Sequence, residues 1–323
     1  MAPSEEKVYG IKEVYRPADT DPEIDIVAVH GLNGDALKTW TAKNGVCWLH
    51  HPDFLPKYIR NARVLAWGYN GSISALTGDK PSKDRIHHHA QTLLERRVDE
   101  PIIFICHSLG GIIVKRTLSY SNTRNSDKIA HIHTIFTCTY GILFFGTPHH
   151  GSPKAHLLRT LQKLASIAVP QRIGQFESDL VSALEEGSET LQNITDYFVP
   201  LMKNFCIYYF WESESADLKY TKERIVSQES AAPIVDATER TGIQADHSGM
   251  VKFGEKDSSD FKVVAATLDK YCGEAPDMIR HRWAETMQSL AEQRRREAME
   301  RRRGYEEGPR NGPQEGKQVI QHM

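Results

Sequence analysis

Short runs of apolar residues recur along the chain, and each is followed by a longer polar or mixed stretch. Continuous apolar runs of this kind are typical of strands that a parallel sheet buries on both faces. We predict such strands over residues 24–30, 62–67, 102–106, 142–145 and 206–211. One further short strand is predicted over residues 224–227.

Helical patterns separate these strands, notably over residues 84–97 and 111–120, and residues 261–271 are able to form the last helix. Alternation of strand and helix is the signature of a mostly parallel α/β sheet. We therefore predict an α/β fold in which helices flank a mostly parallel central sheet, over residues 1–274.

The segment of residues 152–204 contains no strong strand pattern. Leu157, Leu158, Leu161 and Leu164 are spaced for one apolar helix face. Because the segment lies between two predicted strands, we expect a helical cap insertion over the edge of the sheet. Ordinary crossover helices are an equal alternative, because long structureless connections are uncommon in compact domains.

A charged amphipathic helix is predicted over residues 275–303, with Ile279, Trp283, Met287 and Leu290 on one stripe before the sequence becomes strongly basic. Such a helix suits peripheral contact with an anionic membrane or with a protein partner. The interleaved glutamates favour a simpler interpretation, a solvated extension. The glycine-, proline- and glutamate-rich residues 304–323 are predicted to be disordered.

Composition excludes several classes of protein. A formal net charge of -2 gives no field that would attract nucleic acid. The five cysteines are scattered without C-x-x-C spacing, which favours a reducing compartment over disulfides or zinc. The N-terminus lacks the pattern of a secretory signal, and no apolar run approaches the roughly 18 residues of a spanning helix. We expect an intracellular protein, cytoplasmic rather than membrane-spanning.

Residues 101–111, PIIFICHSLGG, resemble a strand that leads into a nucleophile elbow, the G-x-S-x-G turn. This turn exposes a serine hydroxyl at the carboxyl end of the sheet, and its flanking residues must be small. Gly110 and Gly111 follow Ser108, and Cys106 replaces the first glycine. We predict that Ser108 is the nucleophile and that Cys106 is a buried packing residue, because a reactive thiol needs exposure and a positive environment.

The loop His30-Gly31-Leu32-Asn33-Gly34 follows an earlier predicted strand and matches the HG-x-x-G loop of lipases and esterases. That loop presents a backbone N–H to the oxyanion that forms when a serine attacks a carbonyl. The second donor in such enzymes is the amide of the residue after the nucleophile. We predict the amides of Leu32 and Leu109 as the oxyanion hole.

A serine needs a base and the base needs an orienting acid, in the chain order serine, acid, histidine. His247 lies in a polar loop before the last helix and is the predicted base. Glu212 directly follows the strand of residues 206–211 and is the predicted acid. Strand ends inferred from sequence shift by a few residues, so Glu214 and Asp217 remain rivals, and Asp236 and Asp246 are more distant alternatives.

Several residues at the carboxyl ends of these strands are predicted to border a substrate pocket: His30, Gly31, His107, Thr147, Pro148 and His149. No H-E-x-x-H, G-x-G-x-x-G or P-loop motif is present, so we predict neither a metal nor a cofactor. Residues 87–89, three consecutive histidines, are interpreted as a surface feature of a helix.

Six sequence blocks in order resemble the α/β-hydrolase domain of the serine-active-site-containing proteins: IDIVAVHGLNGDALKTW, ARVLAWGY, PIIFICHSLGG, GILFFGTPHHGS, YYFWE and ADHSGMVKF. The resemblance implies a lipase- or esterase-like fold. It matches Ser108, His247 and Glu212 to the family's serine, histidine and acid. It also allows a lipid substrate and association with mitochondrial or endoplasmic-reticulum membranes.

The leading hypothesis is a serine hydrolase that acts on a small-molecule or lipid carboxylic ester through an acyl-enzyme. A second hypothesis is a signalling or interaction module that keeps the α/β-hydrolase fold without efficient catalysis, because a fold alone does not establish activity. A thioesterase or amidase with the same residues is a third, since the sequence does not separate leaving groups.

Overall fold

The computed structural model describes residues 9–69, 100–123, 130–149, 159–160, 162–164, 193–218 and 221–306. Within these ranges the strands are β1 (Gly10–Tyr15), β2 (Ile24–Val29), β3 (Ala62–Gly68), β4 (Ile102–His107), β5 (Thr139–Phe145), β6 (Cys206–Glu212), β7 (Ala216–Asp217), β8 (Lys222–Glu223) and β9 (Thr238–Ile243). The α-helices are α1 (Leu55–Tyr58), α2 (Leu109–Asn122), α3 (Ala130–Cys138), α4 (Gln228–Ala231) and α5 (Ser259–Glu306). Short 3-10 helices span Lys38–Trp40 and Val199–Asn204.

One sheet contains seven of these strands in the order β1-β3-β2-β4-β5-β6-β9, while β7 and β8 form a separate antiparallel pair. All neighbours in the large sheet are parallel except β1, which pairs antiparallel with β3. Every residue of β2, β3, β4 and β5 is buried, as expected for strands covered on both faces. Helix α2 packs against β2, β4 and α3. The predicted α/β-hydrolase fold, a mostly parallel central sheet flanked by helices, is confirmed.

The strand order reverses between β2 and β4. From β2 the chain proceeds to β3 on one side, whereas β4, β5, β6 and β9 follow on the other. The connections that follow β2 and β4 therefore lead to opposite sides of this point, which is a topological switch point of the sheet. Ligand sites of open α/β sheets lie at such switch points. The HG-x-x-G loop and Ser108 follow these two strands.

The five central strands are found where the apolar runs predict them, but both edge strands are absent from the prediction. Strands β1 and β9 are half-exposed and interrupted by charged residues, so they contain no continuous apolar run. The prediction of a strand over residues 224–227 is wrong. Ile225 and Val226 are buried, but they form a bend before α4. The helix predicted over residues 84–97 and the histidines at 87–89 lie outside the described residues.

Helix α5 continues from Ser259 to Glu306 and includes Pro276, so the helix predicted from residue 275 is the distal part of a longer one. The chain divides into two compact units, Met1–Arg280 and His281–Met323. Of the segment predicted as a cap, residues 159–160, 162–164 and 193–198 are helical, and most of the remainder lies outside the described residues. Residues 304–306 are still helical, and residues 307–323 are not described. In the described part of the chain, no helix is both long and apolar enough to cross a membrane.

Candidate active site

Ser108 connects β4 to α2 and adopts φ 54° and ψ −125°, a conformation rarely found outside glycine. Holding a side-chain-bearing residue there costs on the order of 1–3 kcal/mol and requires support from its surroundings. The amide N–H of Ser108 donates to the carbonyl oxygen of Phe145 at 2.8 Å, which ties the turn to the end of β5. The sharp turn predicted from PIIFICHSLGG is therefore present.

The glycines after Ser108 are required by close contacts rather than by their backbone conformation. A Cβ on Gly110 would overlap the carbonyl oxygen of His30 and lie 2.5 Å from that of Val29. A Cβ on Gly111 would overlap Oγ1 of Thr147. Helix α2 thus begins directly against the backbone at the end of β2, and this contact brings the HG-x-x-G loop next to Ser108.

His247 follows β9 and places Nε2 3.0 Å from Oγ of Ser108. This distance is within hydrogen-bond reach and suits a base that removes the hydroxyl proton. The imidazole is only 3% exposed. Gly146, with φ 55°, permits the close approach of the ring, because a Cβ there would lie 2.9 Å from Cε1 of His247. Gly146 is not among the predicted site residues, although a glycine directly after a buried strand is a detectable signal.

Glu212 is the last residue of β6 and is fully buried. Its Oε2 lies 3.1 Å from Nδ1 of His247, although the two atoms are not aligned as a hydrogen bond. Neither atom has another hydrogen-bond partner among the described residues. Oε1 accepts the amide N–H of Val226 at 2.7 Å. The bend wrongly predicted as a strand therefore holds the carboxylate in place.

The rival acids are placed elsewhere. Glu214 and Asp217 are exposed, and Asp236 accepts the backbone N–H of Ala237 at 2.9 Å. Asp246 adjoins His247 but accepts the N–H of Gly249 at 2.7 Å within its own turn. Among these carboxylates, only Glu212 is brought to Nδ1 of His247.

The loop after β2 lies against the serine. A Cβ on Gly31 would lie 2.8 Å from Cβ of Ser108, so the loop backbone passes directly beside this serine. Leu109 is the first residue of α2, where backbone N–H groups lack partners within the helix. Of the amides predicted as oxyanion donors, that of Leu32 belongs to this loop and that of Leu109 directly follows Ser108.

Three histidines predicted to border a pocket point their rings at protein atoms instead. Nε2 of His107 donates to the carbonyl oxygen of His247 at 2.9 Å. Burial, followed by the neighbouring His247, lowers the pKa of His107 to about 3. His149 lies edge-on to the rings of Phe144 and Tyr209, and burial lowers its pKa well below the usual value. Both side chains are therefore neutral near pH 7.

The ring of His30 is also enclosed, stacked on Tyr69 with centroids 4.2 Å apart. Thr147 and Pro148 are buried as well, and Gly31 lies against Ser108 as described. Most residues predicted as pocket lining thus form the packed support beneath the reactive groups. Their positions along the sequence do not reveal this, because ring orientation depends on contacts with distant backbone atoms.

Apolar side chains surround the elbow on the α2 side. Leu109 and Ile112 belong to a buried cluster, with Leu32 and Trp211 among the partly buried residues packed against it. The other buried members are Leu164, Ala216, Ile225, Val226 and Ala231. One wall next to Ser108 is therefore apolar.

Cys106 is fully buried in β4, and burial raises the pKa of its thiol well above the usual value. A protonated, enclosed thiol is a poor nucleophile, which supports the packing role predicted for this residue. Among the residues with described positions, no cluster of three histidine, cysteine or acidic side chains is arranged to hold a metal ion.

Lys115 on α2 is buried beneath the elbow, with Nζ 3.4 Å from Oγ1 of Thr195 and within 6 Å of the ring centroids of Phe144 and Phe198. Burial lowers its pKa from 10.5 to about 7. Between these values the unfolded chain binds a proton that the folded protein does not, so the free energy of unfolding rises with pH.

We expect Lys115→Met to remove this contribution. The free energy of unfolding of the wild type, minus that of Lys115→Met, should increase by up to about 1.4 kcal/mol per pH unit from about pH 7 to about pH 9. Urea denaturation at several pH values measures this difference in free energy of unfolding. The control is Lys57→Met, at an exposed lysine of α1, for which the difference from wild type should not change with pH. A difference that is independent of pH would contradict the shifted pKa of Lys115.

No protein-family model matches the chain. Among curated proteins, the protein SERAC1 of Homo sapiens is 27% identical over 230 residues, which cover 64% of this chain and 32% of that protein. SERAC1 of Mus musculus is 28% identical over 232 residues, covering 64% of this chain and 33% of that protein. The chain thus spans about a third of the length of these curated relatives.

Solved structures with a similar backbone fold include two esterases and a lipase. The esterase domain of a Rhodothermus marinus protein has 16% identity and a TM-score of 0.43, covering 81% of this chain and 90% of that chain. A thermostable carboxyl esterase from Bacillus coagulans has 13% identity and a TM-score of 0.44, covering 83% and 100%. A monoacylglycerol lipase from Paleococcus ferrophilus has 14% identity and a TM-score of 0.41, covering 78% and 96%.

Proposed function

We propose that the protein is a serine hydrolase that cleaves a carboxylic ester through an acyl-enzyme intermediate. The observation that carries this proposal is the distance of 3.0 Å between Oγ of Ser108 and Nε2 of His247. The contact is made at a serine held in a strained backbone conformation, which is the arrangement of a nucleophile on an elbow. The buried Glu212 behind His247 completes the set of three groups that such chemistry needs.

In the proposed reaction, Oγ of Ser108 attacks the ester carbonyl carbon while Nε2 of His247 accepts the hydroxyl proton. Glu212 stabilises the resulting imidazolium and holds its orientation. The amides of Leu32 and Leu109 donate to the oxyanion. As the intermediate collapses, the alkoxide leaves with the proton from His247. Water then attacks the acyl-enzyme while His247 accepts one of its protons. Collapse of the second intermediate releases the carboxylic acid, and His247 returns the proton to Oγ of Ser108.

The partly buried side chains of Leu32 and Trp211, which pack against the apolar cluster of Leu109 and Ile112, support a substrate with a hydrocarbon portion, such as a lipid ester. Binding sites for such molecules are mostly apolar, with a few polar groups at the reacting end. Ser108 and His247 supply those polar groups at the edge of this cluster. The chemistry proposed here uses the side chains and amides of the chain itself.

Labelling with a fluorophosphonate probe tests the proposal. The probe reacts with a serine only when a base and an oxyanion hole activate it. We expect labelling of the wild type, no labelling of Ser108→Ala, and undiminished labelling of Ser119→Ala, a control on the same helix. A folded wild-type protein that resists the probe would favour the alternative of an inactive interaction module and overturn the proposal.

A further inference from the structure

Both ring nitrogens of His30 are engaged by the backbone. Nδ1 lies 2.8 Å from the carbonyl oxygen of Gly31, and Nε2 lies 3.3 Å from the amide nitrogen of Tyr69. A carbonyl oxygen only accepts and an amide N–H only donates, so Nδ1 must carry the proton and Nε2 the lone pair. The buried imidazole is therefore neutral and restricted to one tautomer.

The bond from His30 determines which way the next peptide group faces. The carbonyl oxygen of Gly31 accepts from Nδ1 of His30 and also from the amide N–H of Gly34 at 3.1 Å. In a planar trans peptide the C=O and the N–H point in opposite directions. The N–H of Leu32, which belongs to the same peptide, therefore points away from the imidazole. This is the amide proposed above as an oxyanion donor.

The preceding peptide is fixed by the same pair of side chains. The hydroxyl of Tyr69 donates to the carbonyl oxygen of His30 at 2.7 Å, and the two rings stack nearly parallel, at 5°. Three hydrogen bonds thus connect His30, Tyr69 and the peptides on both sides of Gly31. Gly31 itself lies against Ser108, so any rotation of these peptides would displace a donor directly beside the nucleophile.

We infer that His30 is a positioning residue that keeps the Leu32 N–H turned toward the oxyanion through its Nδ1–H bond to the carbonyl of Gly31. The inference rests on the proposed hydrolase function. His30 touches no reacting atom and acts only through the Gly31–Leu32 peptide. Without the Nδ1–H bond, the carbonyl of Gly31 keeps only the N–H of Gly34 as a donor, at 3.1 Å. The peptide then flips more readily and presents its carbonyl oxygen, which repels an oxyanion.

Removing the bond is expected to reduce kcat with little change in KM, because an oxyanion donor acts mainly in the transition state. Loss of one such donor costs about 10²- to 10³-fold in kcat. We expect His30→Phe, which keeps a flat ring beside Tyr69, to lose up to this factor. In His30→Asn, Nδ2 takes a place similar to that of Nδ1, so this variant should recover much of the rate. In His30→Gln the amide sits one bond further out, so recovery should be smaller.

The kinetic test uses p-nitrophenyl ester turnover and inhibition by a trifluoromethyl ketone, whose serine adduct carries an oxyanion. For His30→Phe, the inhibition constant should rise by about the factor by which kcat/KM falls, whereas a purely structural role would change the melting temperature without this correlation. His50→Phe, at an exposed histidine, is the matched control and should behave as wild type. Equal kcat and equal inhibition in folded His30→Phe and wild type would overturn the inference.

A second measurement needs neither a variant nor activity. Nitrogen-15 NMR of imidazole-labelled wild-type protein should show His30 as the neutral Nδ1–H tautomer near pH 7. An Nε2–H tautomer or a cationic ring would overturn the inference whatever the turnover. A wild type that resists the fluorophosphonate but shows the Nδ1–H tautomer would refute the hydrolase proposal while the hydrogen-bond arrangement stands, so the two failures are distinguishable.

Discussion

Ser108→Ala and His247→Ala are each expected to lower kcat for an ester by about 10⁴- to 10⁶-fold, and the double variant should lose little more than either single one. In the proposed reaction, the nucleophile and its base act as a unit, because the proton that Oγ loses is the proton that Nε2 gains across 3.0 Å. Once one member is removed, the other has no partner with which to contribute.

Turnover of a p-nitrophenyl ester by the four proteins measures this non-additivity. Ser119→Ala and His51→Ala, at a serine of α2 and a partly buried histidine outside the site, serve as controls and should retain wild-type kcat. Circular dichroism verifies folding. Single variants that keep a tenth or more of the activity, or losses that multiply in the double variant, would be incompatible with the proposed pair.

Glu212→Gln should lower kcat by about 10³- to 10⁴-fold while leaving the fold intact. The glutamine side chain has nearly the same shape, and one oxygen still accepts the N–H of Val226. In the wild type, Oε1 of Glu212 accepts from Val226 and Oε2 faces Nδ1 of His247. If the glutamine oxygen keeps the bond to Val226, its NH2 group takes the place of Oε2 and faces Nδ1. A donor at that position favours the tautomer with its proton on Nε2, which is unable to accept the proton from Ser108.

The two exposed rivals provide matched controls for this prediction. Glu214→Gln and Asp217→Asn remove a carboxylate within five residues of Glu212 in the sequence and should change kcat by less than about twofold, as is usual for exposed charges. The measurement is the pH dependence of kcat and kcat/KM for all three variants. Full activity in Glu212→Gln, or a large loss in Glu214→Gln, would assign the acid elsewhere.

The central strands and the elbow were predictable because their signals are local. An apolar run that ends in Ser108, Gly110 and Gly111 specifies a strand, a sharp turn and a close contact within a few residues. The edge strands β1 and β9 were not predictable in this way, because a strand with a single neighbour does not need a continuous apolar sequence. Their place in the sheet depends on β3 and β6, which lie far from them in the chain.

The support of the site was less accessible from sequence than its reactive groups. His107 and His149 were predicted to border a pocket, but each is turned to a partner that no motif identifies. Val226 reaches Glu212 through a backbone N–H, a group that every residue except proline possesses. Such contacts carry no residue-type signal, and only the folded arrangement reveals them.

The separation of Ser108 from His247 by 139 residues has a consequence for the timing of biosynthesis. An emerging chain completes the elbow and the HG-x-x-G loop long before β9 and the histidine loop leave the ribosome. Until then the serine has no base and is chemically silent. The proposed pair of Ser108 and His247 is therefore assembled only after β9 has joined the edge of the sheet.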